Sequence, residues 1–262
     1  MRVATMSWAA FILFLASPAV AEAPLRLTYR TYALGMAIAE VEATAAIGTW
    51  SYQLGLAFRT TGVARMVFAG HNTTSVFGTW QADRPTPRRY ASNSVWRNEP
   101  RAILMDYEQG IPIIRQLQPP SGPEQEIVSA ELRVNSADEL SFLAALIRVV
   151  ARSGRCDVSL RSFDGRRTAD LTVHTVATET LAADDRSSFS GPALRCDFVS
   201  RTLAGFRLDQ ADKTDYRPLH GSIWMAPALA NRPAVPVRIV LETRYFGDAT
   251  SYLTGADGSG GQ

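Results

Sequence analysis

The side chains that could do chemistry in this chain are few and widely spaced: three histidines, two cysteines, a pair of adjacent arginines and a scatter of aromatics. His71, His174 and His220 have no partners at metal-ligand spacing, so no metal centre is expected. His71 lies between Gly70 and Asn72 in an expected loop, where a serine or aspartate within reach would let it serve a hydrolase as base. Neither a Gly-x-Ser-x-Gly elbow nor a phosphate-cradling glycine loop occurs, so catalytic residues and a cofactor are not expected. His174, between Val173 and Thr175, reads as a strand position facing water, and His220 precedes Gly221 in an expected turn.

Cys156 and Cys196 do not form a Cys-x-x-Cys pair. Cys156 is in phase with Val158 and Leu160, and Cys196 with Leu194 and Phe198. On extended strands both sulfurs would therefore face the apolar side and could meet as a disulfide; two unpaired buried thiols are the alternative. Arg166 and Arg167 follow Asp164-Gly165, where their guanidinium groups would either contact an anion or stand solvated at a hairpin tip. Trp50, Tyr52, Phe58, Trp80, Trp96 and Trp224 fall on or beside strands, and such aromatics either fill a core or line an apolar ligand cavity.

Strands must position these groups. Leu25, Leu27 and Tyr29 alternate with Arg26, Thr28 and Arg30; Leu34-Gly35 breaks the run, and a second strand follows from Met36. In the third strand, Trp50, Tyr52, Leu54, Leu56 and Phe58 take one face and Ser51, Gln53, Gly55, Ala57 and Arg59 the other. Val63 to Phe68 reads as a helical turn, and the four prolines between Ile111 and Pro123 mark an exposed connection or an edge. One helix stands out. Ser136 and Glu139 suggest a capping box, Leu140, Leu143, Ile147 and Val150 recur at helical spacing, and Gly154 ends the run. Phe142, Leu146 and Val149 make this helix apolar on most sides, so it should lie in a sheet's concavity or plug an opening. Asp164-Gly165 then predicts a two-residue hairpin turn with both residues at positive φ. The expected fold is all-β and mainly antiparallel, a curled open barrel or β-spiral with one buried helix.

Arg2, the apolar run from Trp8 to Leu15 and Ala19-Val20-Ala21 together read as a signal peptide over residues 1–21, cut near Ala21. A single β-rich domain over 22–254 and a glycine-rich disordered tail over 255–262 complete the expected organisation. The apolar run is too short to span a bilayer, so no transmembrane segment is expected in the mature chain. Removing Arg2 from 27 basic residues leaves 26 against 25 acidic ones, a balance that argues against nucleic acid as partner. An oxidising periplasm would suit the cysteine pair.

The opening Leu27-Thr28-Tyr29 meander through Gly35, the run Ser136-Ala137-Asp138-Glu139-Leu140-Ser141, Phe163-Asp164-Gly165-Arg166-Arg167, Leu194-Arg195-Cys196 and Pro236-Val237-Arg238-Ile239 share an order and spacing. In these the chain resembles the exported bacterial family called domain of unknown function 3108, over most of residues 25 to 253. The resemblance implies a Gram-negative periplasmic protein and transfers no catalytic residues. It also suggests a more distant similarity to spiral β-barrel proteins needed for envelope integrity. The expected function is therefore non-enzymatic: cell-envelope maintenance by binding a protein partner, peptide or lipid. The alternatives are a carrier with a hydrophobic ligand in a β-barrel cavity and, last, a hydrolase built on His71.

Overall fold

Among the described residues, alternation of apolar and polar side chains produces thirteen strands, joined antiparallel in one sheet. The computed structural model describes residues 23–209, 216–243 and 247–258, so the expected signal segment lies outside the described residues. The first seven strands are β1 (Leu25–Ala33), β2 (Met36–Ile47), β3 (Ser51–Thr60), β4 (Gly70–Gln81), β5 (Arg84–Trp96), β6 (Glu99–Glu108) and β7 (Ile111–Gln118). The remainder are β8 (Val158–Phe163), β9 (Thr168–Leu181), β10 (Gly191–Ala204), β11 (Leu219–Pro227), β12 (Ala234–Thr243) and β13 (Gly247–Asp257). Three helices interrupt them: α1 (Gly62–Phe68), α2 (Ala130–Arg133) and α3 (Glu139–Ser153). The first meander runs from β1 outward to β7, the second from β13 outward to β8, and pairing of β1 with β13 joins the two halves.

The sheet curls into a nearly closed barrel whose two edges are β7 and β8. The proline-rich stretch does supply an edge, since β7 begins at Ile111 and stops before Pro119. The chain between the two edges covers the seam. Ala137 pairs in parallel with Ser162, donating its N–H to the Arg161 carbonyl at 2.9 Å and accepting from Phe163 at 2.8 Å. Asn135 donates to the Gly110 carbonyl at 2.8 Å, and Arg166 donates to the Pro119 carbonyl. Backbone groups that would otherwise template another chain are thereby occupied.

Helix α3 lies in the concavity, as its all-round apolarity requires. Leu146 and Ile147 are fully buried and pack with Leu25, Leu27, Val173, Met225, Val235, Val237 and Leu253. Leu140 and Ala144 join a second cluster with Tyr52, Leu54, Val76, Met105 and Phe163. Gly154 ends the helix at φ 67°, donating to the Val150 carbonyl at 2.9 Å. The N-cap, however, is Asp138 and not Ser136: its carboxylate accepts from the Ser141 N–H at 2.8 Å, while the Ser136 hydroxyl donates to Arg133. Pairing of Ala137 with β8 holds the preceding residues extended, which delays the start of the helix.

Three further expectations change. Of the residues at the β8–β9 turn only Gly165 has positive φ, because the loop spans four residues, with Asp164 donating to the Arg167 carbonyl at 3.1 Å. The Asp164 carboxylate accepts from the N–H groups of Arg166 and Arg167, an arrangement a two-residue turn has no room for. Gly255, Ala256 and Asp257, expected in a disordered tail, instead pair with β1; residues 259–262 lie outside the described residues. His71 stands on strand β4 and not in a loop, and His220 on β11 and not in a turn.

Cys156 and Cys196 form the disulfide, with Cα atoms 6.2 Å apart and a separation of 40 positions in sequence. It ties the chain leaving α3 to β10. Closing a loop of that size removes unfolded-state freedom worth about 4 kcal/mol in the chain-entropy account. Urea melts with and without a thiol reductant check this: reduction, or the double change Cys156→Ser and Cys196→Ser, should lower the unfolding free energy by about 2–4 kcal/mol.

Candidate functional site

A cavity of about 830 Å³ opens at the barrel rim around the β2–β3 turn. Its deep wall is apolar: Leu25, Ile47, Ile147 and Val235. Its outer wall carries Trp50, Phe77, Gln53 and Arg88. Trp50 is 83% exposed at the turn itself, and Phe77, on the outward face of β4, is half exposed. The turn is held from inside the barrel. Trp80 donates its indole N–H to the Gly48 carbonyl at 3.2 Å, and the α3 residue Arg148 donates to the Gly48 and Thr49 carbonyls at 3.2 and 3.3 Å. Arg148 also stacks over Trp80 at 4.6 Å, so the helix filling the barrel also fixes the lip of the cavity.

Tyr52 forms the floor between cavity and core. Its hydroxyl shares a hydrogen bond with Ser141 Oγ at 2.8 Å, and its ring lies 4.6 Å from that of Trp80. Gly78 makes room for it: a Cβ there would lie 2.5 Å from the Tyr52 hydroxyl oxygen. Opposite Gly78, β5 carries a bulge. Phe77 pairs with Arg89 and Gly78 with Pro87, which leaves Arg88 as the extra residue. Bulges re-aim side chains, and this one accompanies an arginine in the cavity lining.

A second group of polar side chains surrounds the start of α3. Ser141 Oγ donates to Asp138 at 2.7 Å, continuing the chain from Tyr52. Burial raises Asp138 to about 6 despite the hydrogen bonds from Ser141 that oppose the rise. Glu139 reaches water, yet protein encloses it closely enough that desolvation, with Asp164 and Asp138 as like-charged neighbours, raises it to about 7. Burial likewise raises Tyr90 and Tyr107. The Tyr107 hydroxyl, in a residue only 5% exposed, has no hydrogen-bond partner among the described residues. No cluster of three or more metal-ligating side chains occurs among the described residues.

The structure disperses most of the aromatics singled out from sequence. Trp50 and Tyr52 line the cavity, and Trp80 lies behind Tyr52. Phe58 and Trp96 stand towards the other end of their strands, the Trp96 ring lying over Gly70. Trp224 is outward-facing and sealed: its N–H donates to Glu179 at 2.8 Å, and Arg195 and Arg238 lie over its ring at 5.5 and 5.7 Å. Phe58, Trp80, Trp96 and Trp224 therefore do not line the rim cavity. Arg166 is committed to the seam through Pro119, and Arg167 stacks on Tyr216 at 5.7 Å, so the two do not converge as an anion clamp. The exposed side chains of His71 and His174 make no hydrogen bond or ion pair among the described residues, so no serine or aspartate is hydrogen-bonded to His71 there as a hydrolase would require. Arg88 and Asp138 were not visible as site residues, because a bulge and a delayed cap arise from strand pairing.

Asp138 and Glu139 bind protons more tightly in the folded than in the unfolded chain, where carboxyls titrate near ~4. Folding therefore takes up protons between pH ~4 and ~7, and stability falls as pH rises through that window. Thermal melts from pH 4.5 to 7.5 should show the melting temperature declining, and Asp138→Asn with Glu139→Gln should flatten the decline.

No curated protein matches the chain. A solved structure from Brucella abortus, described as a beta-barrel-like protein of domain of unknown function DUF1849, is similar with a TM-score of 0.50 and 12% identity, covering 91% of this chain and 98% of that one. At that identity the likeness concerns the fold, and it agrees with the curled antiparallel sheet described above. The family described as Protein of unknown function (DUF3108) matches residues 25–254, nearly all of the described sheet, and the chain belongs to that family.

Proposed function

We propose that this protein is an exported, non-catalytic binding protein that takes a hydrophobic or amphipathic ligand, such as a lipid, in the rim cavity and serves the cell envelope by doing so. One observation carries the reading: about 830 Å³ of open space with an apolar deep wall and an exposed tryptophan at its lip. Ligand sites of ~300–1,000 Å³ with mostly apolar walls and a few placed polar groups are typical of small-molecule binding. The barrel interior does not offer this space beside α3, because Ala144, Ala145, Leu146 and Ile147 fill it. A ligand would sit at the mouth and not along the barrel axis.

Export to a periplasm is supported by the leader-like residues 1–21 and by the disulfide, which persists in oxidising compartments. No described helix is long and apolar enough to cross a membrane. The exposed aromatics Trp50 and Phe77 favour a ligand over a purely structural role, since large apolar side chains gathered at a concave rim gain little for a monomer in water.

Native mass spectrometry of protein purified from its own envelope fraction should find a co-purified hydrophobic molecule. Ile47→Trp, which fills the cavity, should abolish that species, and Trp50→Ala should weaken its binding about tenfold while leaving the melting temperature unchanged. Wild-type protein that carries and binds no such molecule would remove the reading.

A further inference from the structure

We propose that the rim cavity selects a single-chain amphiphile with a carboxylate head, and that Arg88 holds that head. This rests on the cavity being a ligand site. Among its lining residues are two arginines, Arg88 and Arg232, and neither aspartate nor glutamate, although the whole chain is almost balanced in charge. Arg232 is engaged: it donates to the Ala23 carbonyl and so ties down the approach to β1. The Arg88 guanidinium has no hydrogen bond or ion pair among the described residues, whereas its neighbour Arg89 binds Asp106 at 2.7 Å. The bulge separates their fates. Arg89 pairs across from Phe77 and is held by Asp106, and Arg88, the extra residue, joins Phe77 in the cavity lining.

One uncommitted guanidinium above an apolar floor matches a ligand of opposite make-up. A carboxylate can accept two parallel N–H bonds from the guanidinium fork, a planar geometry that a lysine ammonium does not offer. Ala45, Ala46 and Ile47 present the accessible apolar surface of the lining, in front of the nearly fully buried Leu25, Ile147 and Val235, and would receive a hydrocarbon chain. Trp50 and Phe77 add exposed aromatic surface to the same lining. A cavity of about 830 Å³ suits one acyl chain and not the two chains and bulky headgroup of a membrane phospholipid.

Isothermal titration with decanoate, 1-decanol and decyl phosphate, each below its micelle concentration, tests this on the full chain. Decanoate should bind about tenfold or more tightly than decanol, and 1 M salt should reduce that preference. Arg88→Ala should erase the preference while leaving decanol affinity unchanged, and Arg88→Lys should restore part of it. Equal binding of decanoate and decanol by wild type would overturn the head-group assignment and leave the cavity reading standing. Tighter binding of decyl phosphate than decanoate would overturn the choice of carboxylate. Failure of all three to bind would overturn both readings.

Discussion

The structure depends on the seating of α3 in the concave face of the sheet. A single sheet of thirteen strands has a long apolar inner surface and two edges, and it must either close or aggregate. The residues leading into α3 meet the edge at β8 through Ala137, and its first turn is capped by Asp138. Ser141 joins Tyr52 on β3, and Arg148, farther along, holds the β2–β3 turn. One helix thus bears on both meanders. Deleting a buried side chain such as Leu146 would open a cavity between them, where large-to-small changes cost about 2–5 kcal/mol.

Filling the interior in this way decides where a ligand can go. In a barrel with an empty centre, aromatics on the inner strands would line a lumen; here the centre belongs to α3 and the accessible space is displaced to the rim. The same helix therefore makes the fold and sets the height of the cavity floor through Tyr52 and Ser141. The polar chain Tyr52–Ser141–Asp138 is fully hydrogen-bonded, which lets it cross a dry region without leaving an unsatisfied group.

Much of the fold was legible because it follows from local periodicity. The alternation in β1 and β3, the apolar run of α3, its stop at Gly154 and the phase of the two cysteines all survive into the structure. What was not legible depends on pairing between distant segments. Trp224 is buried although it shares the outer face with Arg195 and Arg238, because the outer surface there is also covered: Arg238 and Arg186 both lie over Tyr252, and the loop before β10 binds the Leu253 carbonyl through Ser188. Burial on both faces defeats a rule that assumes one dry face. The bulge at Arg88 has no sequence signature beyond Pro87 beside it, since it depends on the register between β4 and β5. The cap moved from Ser136 to Asp138 for a similar reason, the pull of β8 on Ala137.

The two polar regions flanking α3 have opposite character, and this bears on how a charged amphiphile would lie. Glu139 and Asp138 sit at its start, near Asp164; Arg148 sits nine residues later, beneath the rim whose lining includes Arg88 and Arg232. At 1.5 Å rise per residue the helix separates Glu139 from Arg148 by roughly 14 Å, more than a Debye length at physiological salt. Desolvation raises the pKa of both carboxyls, which softens their repulsion without making the region favourable to an anion. A negative head bound at Arg88 would thus lie at the outer lip, away from Asp138 and Glu139, with its chain toward the apolar side of the lining.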